Sequence, residues 1–135
     1  MNTLDFRRPD FFRRRAAHRS RSPWAADAVL LVPTRGPVRG RLAIDRYEEA
    51  IASAFPGATI TVSSAFLDGD ATAIEWVFSG VHAGPLALRG GVIPATGRRL
   101  TLRGTSVIRY TERGLIAEER RYYDVWSVLE QLAVP

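Results

Sequence analysis

Apolar residues in this chain recur first at helical spacing and then, from residue 58 onward, at every second position. Ile44, Tyr47, Ile51 and Phe55 fall at i, i+3, i+7 and i+11, while Asp45, Glu48 and Glu49 take the wet side. That spacing predicts an amphipathic helix over residues 41–55, stopped by Pro56-Gly57. Ahead of it, residues 27–33 read as a short strand ended by a proline, and residues 34–40 as a loop. After it, residues 58–67 alternate with Ile60 and Val62 on one parity. Asp68-Gly69-Asp70 then turns the chain into a second alternating run, Ala71 to His82. Residues 84–97, with Gly84, Pro85, Gly90, Gly91 and Pro94, read as a long loop. Residues 98–110 are the next strand, Arg113-Gly114 the turn, and residues 115–124 the last strand. A short helix closes the chain, with Trp126, Leu129 and Leu132 at helical spacing. The order predicts an α+β fold with helices gathered on one face of a curved, mostly antiparallel sheet.

The totals narrow the function classes. At 135 residues with 46% apolar content the chain supports one ordinary globular domain, placed at residues 23–135. Residues 1–22 read as a basic arm or a degenerate first helix. They carry seven arginines against Asp5 and Asp10, which accounts for the whole net charge of +5. Residues 23–135 balance twelve arginines against twelve acids, so the body has no basic excess to follow a phosphate backbone. Nucleic acid is therefore not an expected partner of the body. The absence of cysteine rules out disulfides and thiolate catalysis, and two histidines, His18 and His82, argue against a histidine-rich metal site. No apolar run reaches the roughly 18 to 20 residues of a membrane span. Arg7-Arg8-Pro9-Asp10-Phe11-Phe12 loosely resembles a twin-arginine signal, but no apolar segment follows it, so a cytoplasmic protein is expected.

Two polar residues carry the candidate chemistry. His82 and Asp124 stand near the far ends of predicted strands, on the parity that also holds large side chains. Ile74, Trp76 and Phe78 share the face of His82, while Ile116, Arg120 and Tyr122 share that of Asp124. If both sets line one concave side, they bound a large aromatic pocket for a flat or lipophilic ligand. An apolar pocket raises a carboxyl pKa toward the range useful for acid/base work, which suits Asp124; its plain alternative is an N-cap of the last helix. His82 would either polarise a carbonyl or bond a loop carbonyl structurally. Arg120 needs a partner, and Glu118 and Asp124 both qualify. Tyr47, Tyr110 and Tyr122 are candidate oxyanion donors.

Three stretches resemble the SnoaL-like polyketide cyclase and ketosteroid-isomerase-like group of the nuclear-transport-factor-2-like fold. They are Gly36-Pro37-Val38-Arg39-Gly40 before the helix, Gly80-Val81-His82-Ala83-Gly84 with Ile93-Pro94-Ala95-Thr96-Gly97-Arg98-Arg99, and Tyr123-Asp124 with Leu129-Glu130-Gln131-Leu132. The resemblance covers about residues 24–135 and implies a cone-shaped curved sheet with helices on its concave side. It implies a small cofactor-free enzyme, a cyclase or isomerase acting on a hydrophobic carbonyl compound, with Asp124 as acid/base and His82 beside it. Trp76, Phe78, Tyr122, Arg120, Trp126 and Tyr47 would bind substrate, no metal or cofactor is expected, and the resemblance alone implies a homodimer. A non-catalytic small-molecule-binding protein of the same fold is the second reading. The third is an anionic-partner binder acting through the arginine-rich arm, with a steep salt dependence.

Overall fold

The computed structural model describes residues 22–135, where the two periodicities become a six-stranded sheet, a small hairpin and two helices. In chain order these are β1 (Trp24–Leu31), β2 (Val38–Arg39), α1 (Arg41–Ala54), β3 (Thr59–Asp68), β4 (Ala71–Val81), β5 (Leu86–Leu88), β6 (Gly91–Ile93), β7 (Arg99–Tyr110), β8 (Ile116–Tyr123) and α2 (Val125–Gln131). The arginine-rich arm lies outside the described residues. The main sheet runs β2-β1-β8-β7-β4-β3 and stays open at both edges, with only β1 and β8 parallel. This is the expected curved α+β architecture.

Local chemistry sets the frame. β3 and β4 pair from Asp68↔Ala71, so Gly69-Asp70 is a two-residue turn, and Gly69 at φ 60° supplies the positive dihedral that such a turn places at its first central residue. The helix follows its pattern: Ile44 and Phe55 are buried, and Tyr47 and Ile51 pack against the core. Leu30, Ile44, Ile74 and Ile108, all fully buried, belong to one hydrophobic core. The 84–97 segment departs from the expected featureless loop, because β5 and β6 pair across Arg89-Gly90 into their own hairpin.

Bulges give the sheet its curvature, since an unpaired extra residue bends its strand. In β3 the register moves between Val62 and Ser64. In β8 Arg109 faces Glu118 but Tyr110 faces Ile116, so Ala117 is the extra residue. Side chains change faces at every residue along a strand, and one inserted residue therefore reverses the face of everything after it. Glu119, Arg121 and Tyr123 turn inward, and Arg120 and Tyr122, expected inside, turn outward.

Candidate functional site

A cross-strand row on the concave face organises the site. Trp76 on β4 lies opposite Gly104 on β7, which lies opposite Tyr123 on β8. A Cβ at position 104 would sit 2.3 Å from Cζ2 of Trp76, so the indole rests on bare backbone there. It extends over β7 to meet the Tyr123 ring edge-on, centroids 6.2 Å apart. Laid flat in this way, the indole Nε1–H donates to Ser106 Oγ at 3.0 Å, and the Ser106 hydroxyl donates to Glu119 Oε2 at 3.2 Å. Arg121 Nε donates to the same oxygen at 2.6 Å, and its terminal nitrogens clasp both carboxylate oxygens of Glu48 on α1. Ser106 and Glu119 are fully buried. Burial works against the Arg121 charge, but Glu119 and Glu48 outweigh it and hold the guanidinium charged well beyond its ordinary range.

This network forms one wall of a partly open cavity of about 130 Å³, lined mainly by apolar and aromatic side chains from α1, β4, β7 and the β5–β6 hairpin. A second polar group stands at Thr34, Tyr47 and Tyr123. The Thr34 and Tyr123 hydroxyls lie 3.4 Å apart. Burial, reinforced by Tyr123 and opposed by Arg121 and a hydrogen bond to Thr34, pushes the Tyr47 phenol well above its ordinary value, so it stays a hydroxyl and a donor. Arg35 covers the Tyr47 ring from outside, 5.9 Å from its centroid. Among the described residues no group of three His, Cys, Asp or Glu side chains is placed to hold a metal ion.

Of the residues singled out by the sequence, Trp76, Phe78 and Tyr47 line this cavity. Asp124 does not; it is exposed, and Oδ1 accepts the Trp126 amide at 2.9 Å as the N-cap of α2. Tyr122 and Trp126 are 54% and 67% exposed, which takes them off the cavity wall. Arg120 pairs with Glu118 at 3.3 Å rather than with Asp124. All four displacements belong to the outward side of β8 and the start of α2, beyond the bulge at Ala117. Tyr110 is also absent from the lining.

His82 is buried but stands behind the cavity, its ring 5.3 Å from Phe55. The Thr96 amide donates to Nδ1 at 3.3 Å, and the Thr96 hydroxyl lies 2.9 Å from the same nitrogen. Because the Thr96 amide donates to Nδ1, that nitrogen is an acceptor and the ring proton of the neutral imidazole is assigned to Nε2. The His82 backbone amide and carbonyl bond Arg98 and Gly97. The histidine thus fastens the two ends of the 83–97 excursion. His82 and Asp124 are not brought together.

Glu119, Arg121, Glu48 and Ser106 were missed as site residues, and one signal in the sequence pointed to the first two of them. Glu118-Glu119-Arg120-Arg121 places four charges in succession on a predicted strand, so each face receives one acid and one base. Whichever face is buried must then hold an ion pair.

The chain matches the profile of the SnoaL-like polyketide cyclases over residues 6–132. No curated protein matches. A candidate SnoaL-like polyketide cyclase from Jannaschia sp. CCS1 is similar in structure at 17% identity and TM-score 0.73, over 83% of this chain and 74% of that one. TsrD from Streptomyces laurentii superposes at TM-score 0.69 and 23% identity, over 83% and 78% of the two chains. IdmH from Streptomyces antibioticus, a candidate polyketide cyclase, gives TM-score 0.64 and 28% identity over 82% of each chain. With a profile match across nearly its whole length and the same fold in these structures, the chain belongs to the SnoaL-like polyketide cyclase family.

Proposed function

We propose that this protein is a cofactor-free cyclase or isomerase acting by proton transfer on a hydrophobic carbonyl compound, with Glu119 as its base. The observation that carries this reading is a fully buried carboxylate on the wall of a mainly apolar cavity. Arg121 donates to Glu119 Oε2, an opposite charge that favours the carboxylate form able to accept a proton, and Ser106 fixes the same oxygen. Glu119 removes a proton from the carbon next to the carbonyl, and the electron pair moves onto oxygen as an enolate. Tyr47 and Tyr123 supply hydroxyl donors for that oxygen on the same cavity. Return of the proton to another carbon completes an isomerisation. Attack of the enolate carbon on a second carbonyl, whose oxygen then takes the proton from Glu119, completes a ring closure.

The test is exchange of the α-hydrogens of simple cyclic ketones in heavy water, followed by NMR. The wild type accelerates exchange, and Glu119→Gln slows it by about 10²- to 10⁴-fold, the usual worth of a positioned base, while ketone binding persists. Exchange by Glu119→Gln at the wild-type rate would sink the assignment. A second reading, ligand binding without turnover, is favoured by the 2.6 Å contact to Arg121, which weakens Glu119 as a base. That reading predicts binding with no exchange above buffer.

A further inference from the structure

The cavity of about 130 Å³ is close in size to the roughly 150 Å³ engineered apolar cavity that takes up a single benzene ring. Its walls have little room to withdraw. Trp76 lies against the backbone at Gly104 and is held by Ser106. Phe78 and Phe55 pack edge to face with centroids 5.2 Å apart, and Leu86 and Leu100 are themselves buried. Close-packed interiors pass strain on rather than absorb it, so a second fused ring held inside would have to displace a wall, and one projecting from the open side would gain no further apolar contact. The polar groups are few: Ser106, Glu119, Arg121 and Glu48, and the hydroxyls of Thr34, Tyr47 and Tyr123. They suit a ring with a carbonyl edge and apolar flanks.

We infer that the site is built for a single-ring carbonyl compound, a monocyclic ketone or enone, and excludes fused polycyclic ones. This deepens the proposed function and rests on the cavity being the substrate site. It is tested by binding alone, so it stands or falls separately from the role of Glu119. The full chain is titrated by calorimetry with cyclohex-2-enone, 1-tetralone and anthrone, which carry one, two and three fused rings. Each added ring brings apolar surface, so a roomy pocket would bind the series with rising affinity. The expected order is the reverse, with 1-tetralone at least about tenfold weaker than cyclohex-2-enone and anthrone weaker still. In Phe78→Ala the freed volume brings 1-tetralone to at least the affinity of the enone. Affinity rising with ring number in the wild type overturns the inference, and so does failure of all three ketones to bind. Loss of exchange in Glu119→Gln with an unchanged binding order leaves it intact.

Discussion

Asp124 Oδ1 accepts a hydrogen bond from the Trp126 amide at 2.9 Å and so caps the N-terminus of α2. Asp124→Ala is expected to lower stability by about 0.5–2 kcal/mol, while Asp124→Asn, which caps as well, costs little. Urea denaturation checks the pair, and a collapse of ketone exchange in Asp124→Asn would return the acid/base role to Asp124. Its sequence setting of neighbouring aromatics was legible, but its direction was not, because one unpaired residue at Ala117 reverses the parity on which the reading depended. The same reversal buries Glu119 against Arg121. Arg121→Leu removes the cation that Glu119, fully buried, contacts at 2.6 Å and should cost about 3–5 kcal/mol, whereas Glu119→Leu with Arg121→Leu should regain most of that loss. Equal destabilisation of the single and double variants would show that the pair is not the source of the cost.

The elements themselves were more readable than their side-chain directions. Helix α1 runs Arg41–Ala54 where spacing placed it at 41–55, because four apolar positions must share one buried face. Glu48 was misread as a solvated residue: it flanks that face beside Tyr47, close enough to pair with Arg121 of β8 in the cavity wall. The β5–β6 hairpin escaped notice since three-residue strands are too short to show alternation. Gly104 was equally silent, as a glycine within a strand pattern signals close approach without naming the partner. It now yields a sharp expectation. Gly104→Ala places a methyl 2.3 Å from the Trp76 ring, and the indole must lift off β7 and release Ser106. A loss of about 1–3 kcal/mol, the usual cost of overpacking, should accompany a change in near-ultraviolet circular dichroism from Trp76. A stable protein with an unchanged spectrum would mean that the row tolerates the methyl group.

For the molecule as a whole, sequence reasoning reached the family and the curved sheet because both rest on element order and on stretches of residues, which single-residue insertions leave intact. The electrostatics of the cavity came only from three-dimensional neighbours, Tyr47 above all. Its phenol is raised by burial and by Tyr123, and lowered less by Arg121 and Thr34. A group whose folded pKa lies above its unfolded value binds its proton more tightly in the native state. Its stabilising share is therefore complete below the unfolded value of about 10 and is lost as pH rises from there toward the folded value. Between about pH 10 and 11 the loss from this one group should approach ~1.4 kcal/mol per pH unit. Tyr47→Phe removes the titration and gives up the hydrogen bond to Thr34, so it should be less stable than wild type at pH 8 and show a flatter alkaline decline. Denaturation midpoints measured from pH 8 to 11 for both proteins decide the matter: parallel curves would mean that Tyr47 ionises no differently in the folded and unfolded chain.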